Sequence, residues 1–141
     1  MTIQREPIYA ALFALVSSVQ GLKTTSRKLK HWNDVQASAM PALFQAQTAQ
    51  MSNGADFLPV RWTLGALLYL YVSTKGADNP GSVVNPIVDA ITHLFEPNAV
   101  GGGQTLGGLV QWARIGGTIE TSEGTLDNLE VIQIPIHMLA L

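Results

Sequence analysis

The chain has 141 residues and a formal charge of −2, with 13% charged and 47% hydrophobic side chains. Such a length fits one domain with one core (1–141), and a charged fraction about half that of an ordinary soluble domain suits a surface covered by self-association. The absence of cysteine excludes disulfides and thiolate metal sites, the small negative charge disfavours nonspecific nucleic-acid binding, and no apolar run reaches the roughly 18 residues of a membrane span.

Pro7 suits the first turn of a helix, and Ile8, Leu12, Leu15 and Val19 recur on one helical face, so the spacing predicts a helix over about 5–20 with Gly21 as its stop. Residues 8–16 are apolar, but acidic Glu6 precedes them and no cleavage site follows, so a signal peptide is not expected. Thr24 to Trp32 reads as a strand with Lys28, Lys30 and Trp32 on one face and Arg27, Leu29 and His31 on the other. So many cations place it at an edge of the sheet or facing a pore. After Pro41 a second strand is expected over about 42–51, then a turn at Asn53-Gly54-Ala55-Asp56. The third strand is the clearest: Val60, Trp62, Leu64, Ala66, Leu68, Leu70 and Val72 alternate with Arg61, Thr63, Gly65, Leu67, Tyr69 and Tyr71. Strands two and three form a long hairpin, whose outer face is assigned Gln45, Gln47, Tyr69 and Tyr71.

A loop at Lys75 to Gly81 leads to a second helix, about 82–95, with the stripe Val84, Ile87, Val88, Ile91, Leu94 and Phe95. Pro86 belongs in its first turn, which sets the start at Ser82 or Val83. Pro97-Asn98 ends the helix, and Gly101-Gly102-Gly103 links it to a C-terminal hairpin. One arm runs from Gln104 through Ile119, an acidic turn follows from Glu120 to Asn128, and Leu129 to Leu139 returns with Ile132, Ile134, Ile136 and Met138 on one face. The order α-β-β-β-α-β-β predicts an α+β fold, an antiparallel or mixed sheet with two helices packed on one face.

Nothing in this order carries catalytic chemistry. His31, His93 and His137 form no ligand pair, and the glycine groups lack the pattern of a phosphate loop. No G-x-S-x-G is present, and Glu120, Glu123, Asp127 and Glu130 do not have calcium-loop spacing. No catalytic, cofactor-binding or metal-binding residue is assigned, and an enzyme such as a small hydrolase is the least favoured reading. The basic run Lys23, Arg27, Lys28 and Lys30 beside Trp32 reads as a solvated or protein-facing strand or, less favoured, a nucleic-acid strip.

Several segments resemble, in order, small proteins of long-tailed bacteriophages. These are Arg5-Glu6-Pro7-Ile8-Tyr9-Ala10-Ala11-Leu12-Phe13, Lys23-Thr24-Thr25-Ser26-Arg27-Lys28-Leu29-Lys30-His31-Trp32 and Pro41-Ala42-Leu43-Phe44. Leu68-Tyr69-Leu70-Tyr71-Val72, Asn85-Pro86-Ile87-Val88-Asp89-Ala90 and Gln104-Thr105-Leu106-Gly107-Gly108-Leu109-Val110 continue the likeness. Ile119-Glu120-Thr121-Ser122-Glu123-Gly124 and Ile134-Pro135-Ile136 complete it. The chain is thus similar to the tail terminator family, the minor tail protein U class, with Ala99 to Gly103 unusually rich in glycine.

The resemblance implies a structural virion protein made in the host bacterial cytoplasm, a ring usually of six subunits at the head-proximal end of the tail tube. Such a ring stops tube polymerisation and offers a docking surface to head-completion proteins. Its partners would be its own copies, the tail tube protein, a head-completion or neck connector protein and, transiently in the lumen, genomic DNA. It implies no cofactor, no membrane and no enzymatic activity. The alternative is another neck or tube-like component of the same tail. On either reading the interface candidates are Lys23, Arg27, Lys28, Lys30, Gln45, Gln47, Tyr69, Tyr71, Glu120, Glu123 and Asp127.

Overall fold

A computed structural model describes residues 3–54, 56, 58–97 and 103–140. The strongest alternating run in the sequence becomes its central strand, β3, Arg61–Ser73. Around it stand helix α1 (Arg5–Ser17), β1 (Thr24–Ser26), β2 (Ala42–Asn53), helix α2 (Pro80–Leu94), β4 (Val110–Ile115), β5 (Glu120–Thr121) and β6 (Leu129–Ala140). The sheet order is β1-β2-β3-β6-β4, with β5 also paired to β6. Only β1 and β2 run parallel, so the sheet is mixed and the fold is α+β.

Alternation gives the sheet two different faces. Leu64, Ala66, Leu68 and Leu70 of β3 meet Ile132, Ile134, Ile136 and Met138 of β6 in one cluster, together with Tyr9, Leu12 and Val16 of α1 and Val84 and Ile91 of α2. Both helices therefore cover the same face. Each large side chain fully buried there contributes about 1.5–3 kcal/mol. On the other face Ala42, Phe44 and Tyr71 form a smaller cluster with Met40, closed by Trp32 and Val35 from the segment between β1 and β2.

The strand expected over Thr24 to Trp32 is confined to Thr24–Ser26. Ser26 Oγ accepts from the Lys28 N–H, His31 Nδ1 accepts from the Asn33 N–H, and the chain turns into a short 3-10 turn at Trp32–Asp34. These local side-chain bonds offer the backbone an alternative to the ladder, and Trp32 is drawn onto the second cluster instead of alternating outwards. β1 does lie at the sheet edge. Helix α2 starts two residues earlier than Ser82, at Pro80, because a proline suits that end. Pro86 consequently sits beyond the first turn, on an exposed side of the helix.

The first arm of the C-terminal hairpin is shorter than the stretch Gln104 to Ile119. Leu106, Gly107 and Gly108 all have positive φ, 52°, 72° and 91°, a left-handed run that two glycines make accessible. Gln104 anchors this loop: its Nε2 donates to the Leu94 carbonyl at 3.0 Å and its Oε1 accepts from the Leu106 N–H at 3.0 Å. The strand proper then begins at Val110, and the short β5 forms separately. Asn98 and residues 99–102 of the expected glycine-rich link lie outside the described residues, as does Ala55 of the expected hairpin turn.

Candidate assembly interface

The β2–β3 ladder runs from Ala42 opposite Tyr71 to Asn53 opposite Arg61. Its register decides which side chains share a face. Gln45 pairs with Leu68 and Gln47 with Ala66, whereas Tyr69 pairs with Phe44 and Tyr71 with Ala42. Directly opposed residues point the same way, so the two glutamines cannot share a face with the two tyrosines. The expected outer face of Gln45, Gln47, Tyr69 and Tyr71 is corrected accordingly.

Gln45 lies under α1, 2% exposed, and its Nε2 donates to the Tyr9 carbonyl at 3.0 Å. Gln47 is exposed and accepts a 3.4 Å contact from Arg27. Tyr71 is buried in the second cluster and donates its hydroxyl to the Lys30 carbonyl at 2.7 Å. Burial, and then the neighbouring Tyr69, raise the Tyr71 phenol above its ordinary pKa. Tyr69 remains half-buried on the wall of a hollow of about 420 Å³ shared with Leu29, Trp32 and Val131. Of the four, Gln47 and Tyr69 are within reach of a partner, while Gln45 and Tyr71 hold the fold.

A bulge interrupts this ladder between Gln47 and Gln50, with Thr48 and Ala49 opposite Gly65. A Cβ on Gly65 would fall 2.7 Å from the Ala49 carbonyl and closer still to Thr48 Oγ1, so glycine is required by close approach. The Gly65 carbonyl accepts from the Tyr9 hydroxyl at 2.9 Å, tying the bulge to α1. Beyond it, Arg5 Nε donates to Gln50 Oε1 at 2.6 Å and its guanidinium lies 4.7 Å from the Trp62 ring centre. Further out the hairpin is uncovered: Met51 is 59% exposed, Leu58 65% and Val60 52%. These apolar residues were not among the sequence candidates, because the sequence does not show whether an apolar residue is covered by another layer.

The charged candidates separate into engaged and unengaged groups. Arg27 forms a bidentate pair with Glu6 at 2.7 and 3.0 Å in the same chain. That hydrogen bond holds the Glu6 carboxyl below its ordinary pKa and raises that of Arg27. Arg27 is therefore committed within its own molecule, contrary to its expected role between molecules. Arg61 donates to Gln111 Oε1 at 3.2 Å, and Arg114 stacks 3.5 Å from the Trp112 ring centre. Lys23, Lys28 and Lys30 are exposed and form no ion pair among the described residues.

On the acidic side Glu120 lies in β5, opposite Gln133, and Glu123 and Asp127 lie in the loop that follows, all three exposed. Ser122 braces that loop, donating its N–H to the Val131 carbonyl at 3.1 Å while its Oγ accepts from the Val131 N–H at 2.8 Å. Glu130 behaves differently from these neighbours. It pairs with Val72, so it points to the helix-covered face, and it is only 3% exposed. Its Oε1 is buried without a hydrogen-bond partner. Burial, and then the charge of Glu123, raise its carboxyl above the ordinary 4.5. Its even position in the return strand, in step with Ile132 and Ile134, was the signal in the sequence.

Among the described residues no group of three or more His, Asp or Glu side chains is arranged to hold a metal ion. No family model and no curated protein matches the chain. A solved structure aligns over 97% of this chain and 96% of its own length, with a TM-score of 0.52 and 16% identity. At that identity the likeness speaks for the fold alone.

Proposed function

We propose that the chain is a structural virion subunit of a long-tailed phage. In this reading it is a tail terminator that closes into a ring at the head-proximal end of the tube and receives the head-completion proteins. The observation that carries self-assembly is the far end of the β2–β3 hairpin, where Met51, Leu58 and Val60 are 59%, 65% and 52% exposed. An apolar projection on a chain with few charges favours burial against another protein surface. The sequence resemblance, ordered along nearly the whole chain, supplies the tail and the terminator role. In a ring, each subunit offers two different patches to its neighbours, which suits a hairpin on one side and a separate receiving surface on the other.

The test is the chain's place in an intact particle. Imaging should find one ring of it per virion, at the junction of tube and head. Many copies along the tube would transfer it to the tube proteins, and a position above the ring to the head-closure proteins. Sizing of the purified chain, alone and with tube ends, should give rings; a monomer under both conditions would refute self-assembly.

A further inference from the structure

The one buried carboxylate among the acids of the C-terminal hairpin, Glu130, meets no cation among the described residues. Glu130 forms part of the wall of a hollow of about 360 Å³, between the loop after β3 (Thr74, Ala77), Pro80 at the start of α2, and residues 124–130. Its Oε1 is buried and unpartnered, which is a costly state for an ionised group. Of the charged groups on its own hairpin, Glu123 acts on it through its charge and Asp127 shares the hollow. Lys75 and Asp127 line an adjoining hollow without forming an ion pair. On the other side of the ledger, Arg5, Arg27, Arg61 and Arg114 are each engaged by a side chain of the same molecule. The exposed cations left over are lysines.

We infer that the hollow receives a lysine side chain, Lys23, Lys28 or Lys30, from a second copy of this chain, with Glu130 as the buried carboxylate that meets it. A lysine suits the geometry because its apolar stem can line a partly apolar wall while its ammonium reaches a recessed carboxylate. Charge complementarity identifies the occupant: an acidic hollow with an unsatisfied oxygen and an exposed run of unpaired lysines belong to the same sequence. The inference rests on the self-association proposed above and names the contact that orients it.

In the lone chain Glu130 has a raised pKa, so the fold favours its protonated form. That contribution is present at low pH and is lost as pH rises from 4.5 through the raised value. A lysine ammonium favours the ionised form, so association should weaken as pH falls through the same window.

The experiment is a double-mutant cycle on the full chain, with association followed by sedimentation and the fold of the dilute chain by thermal melting. Glu130→Gln should weaken association roughly tenfold or more, because it removes one partner of a desolvated charge pair. It should leave the melting temperature of the dilute chain unchanged or raised. The triple variant K23Q/K28Q/K30Q should weaken association comparably, and combining the two sets should cost little more than either alone. Additive effects, or unchanged association of E130Q, would overturn the inference while leaving self-assembly standing. So would a loss of association in K75Q with the K23Q/K28Q/K30Q variant unaffected, which gives the hollow to Lys75 instead. Loss on adding EDTA with the lysine variants unaffected gives it to a metal ion and has the same consequence. A wild-type chain that stays monomeric even on tube ends overturns both readings.

Discussion

The two ends of the β2–β3 hairpin are built from the same ladder and meet opposite fates. At its base, Leu43, Phe44, Leu68, Leu70 and Tyr71 are at most 3% exposed. Helices cover one face there, and the segment carrying Trp32, Val35 and Met40 covers the other. At its far end Met51, Leu58 and Val60 are more than half exposed, since none of the described residues covers them. Large apolar side chains occur at both ends, though more densely at the base; what differs is whether the described residues bring a second layer over them. The base therefore stabilises the fold, and the far end is available for association. The bulge at Thr48 and Ala49 marks the change from one regime to the other.

The comparison breaks if base substitutions prove harmless. Phe44 is 1% exposed and lies 5.3 Å from the Tyr71 ring centre. Phe44→Ala should cost about 3–5 kcal/mol, read as a drop in the denaturant midpoint with little change in slope. At the bulge, Gly65→Ala should cost about 1–3 kcal/mol, because the new methyl group must push the Ala49 carbonyl and Thr48 aside. Protection of the Thr48 and Ala49 amides in hydrogen exchange should fall in the same variant. Tyr71→Phe keeps the ring and removes the hydroxyl bond to the Lys30 carbonyl, so it should cost about 0.5–1.5 kcal/mol. A larger loss would mean that the segment from Arg27 to Met40 depends on that single bond. The smallest effect on stability is expected at the far end. The triple variant M51S/L58S/V60S should unfold within about 0.5 kcal/mol of the parent while losing most of its self-association by sedimentation. Unchanged association would remove the assembly role assigned to this end.

The charged surfaces repeat the contrast on a smaller scale. Arg27 and Lys28 are sequence neighbours, yet the first is held by Glu6 and the second meets no acid among the described residues. Glu130 and Asp127 are close in sequence, yet one is buried and the other exposed. Composition counts such residues alike. Only the direction of each side chain, and what stands opposite it, separates a group that holds the monomer from one available to a neighbour.

What the sequence by itself determined is the pattern with a short physical range. Period-two alternation marked β3 and β6 and their core residues from Leu64 to Leu70 and from Ile132 to Met138. Period 3.6 marked both helices, and together they gave an α+β order with one helix-covered face. Those patterns are legible because side-chain direction within one strand or helix depends only on the local backbone. The register between strands is set by contacts far apart in the chain. It put Gln45 beneath α1, turned Tyr71 onto the second cluster and placed the bulge opposite Gly65. Local bonds at Ser26 and His31 cut the first strand to Thr24–Ser26, where composition pointed to a longer one. The burial of Glu130 likewise depended on tertiary structure, because its charge alone argues for solvent and only its pairing with Val72 turns it inward.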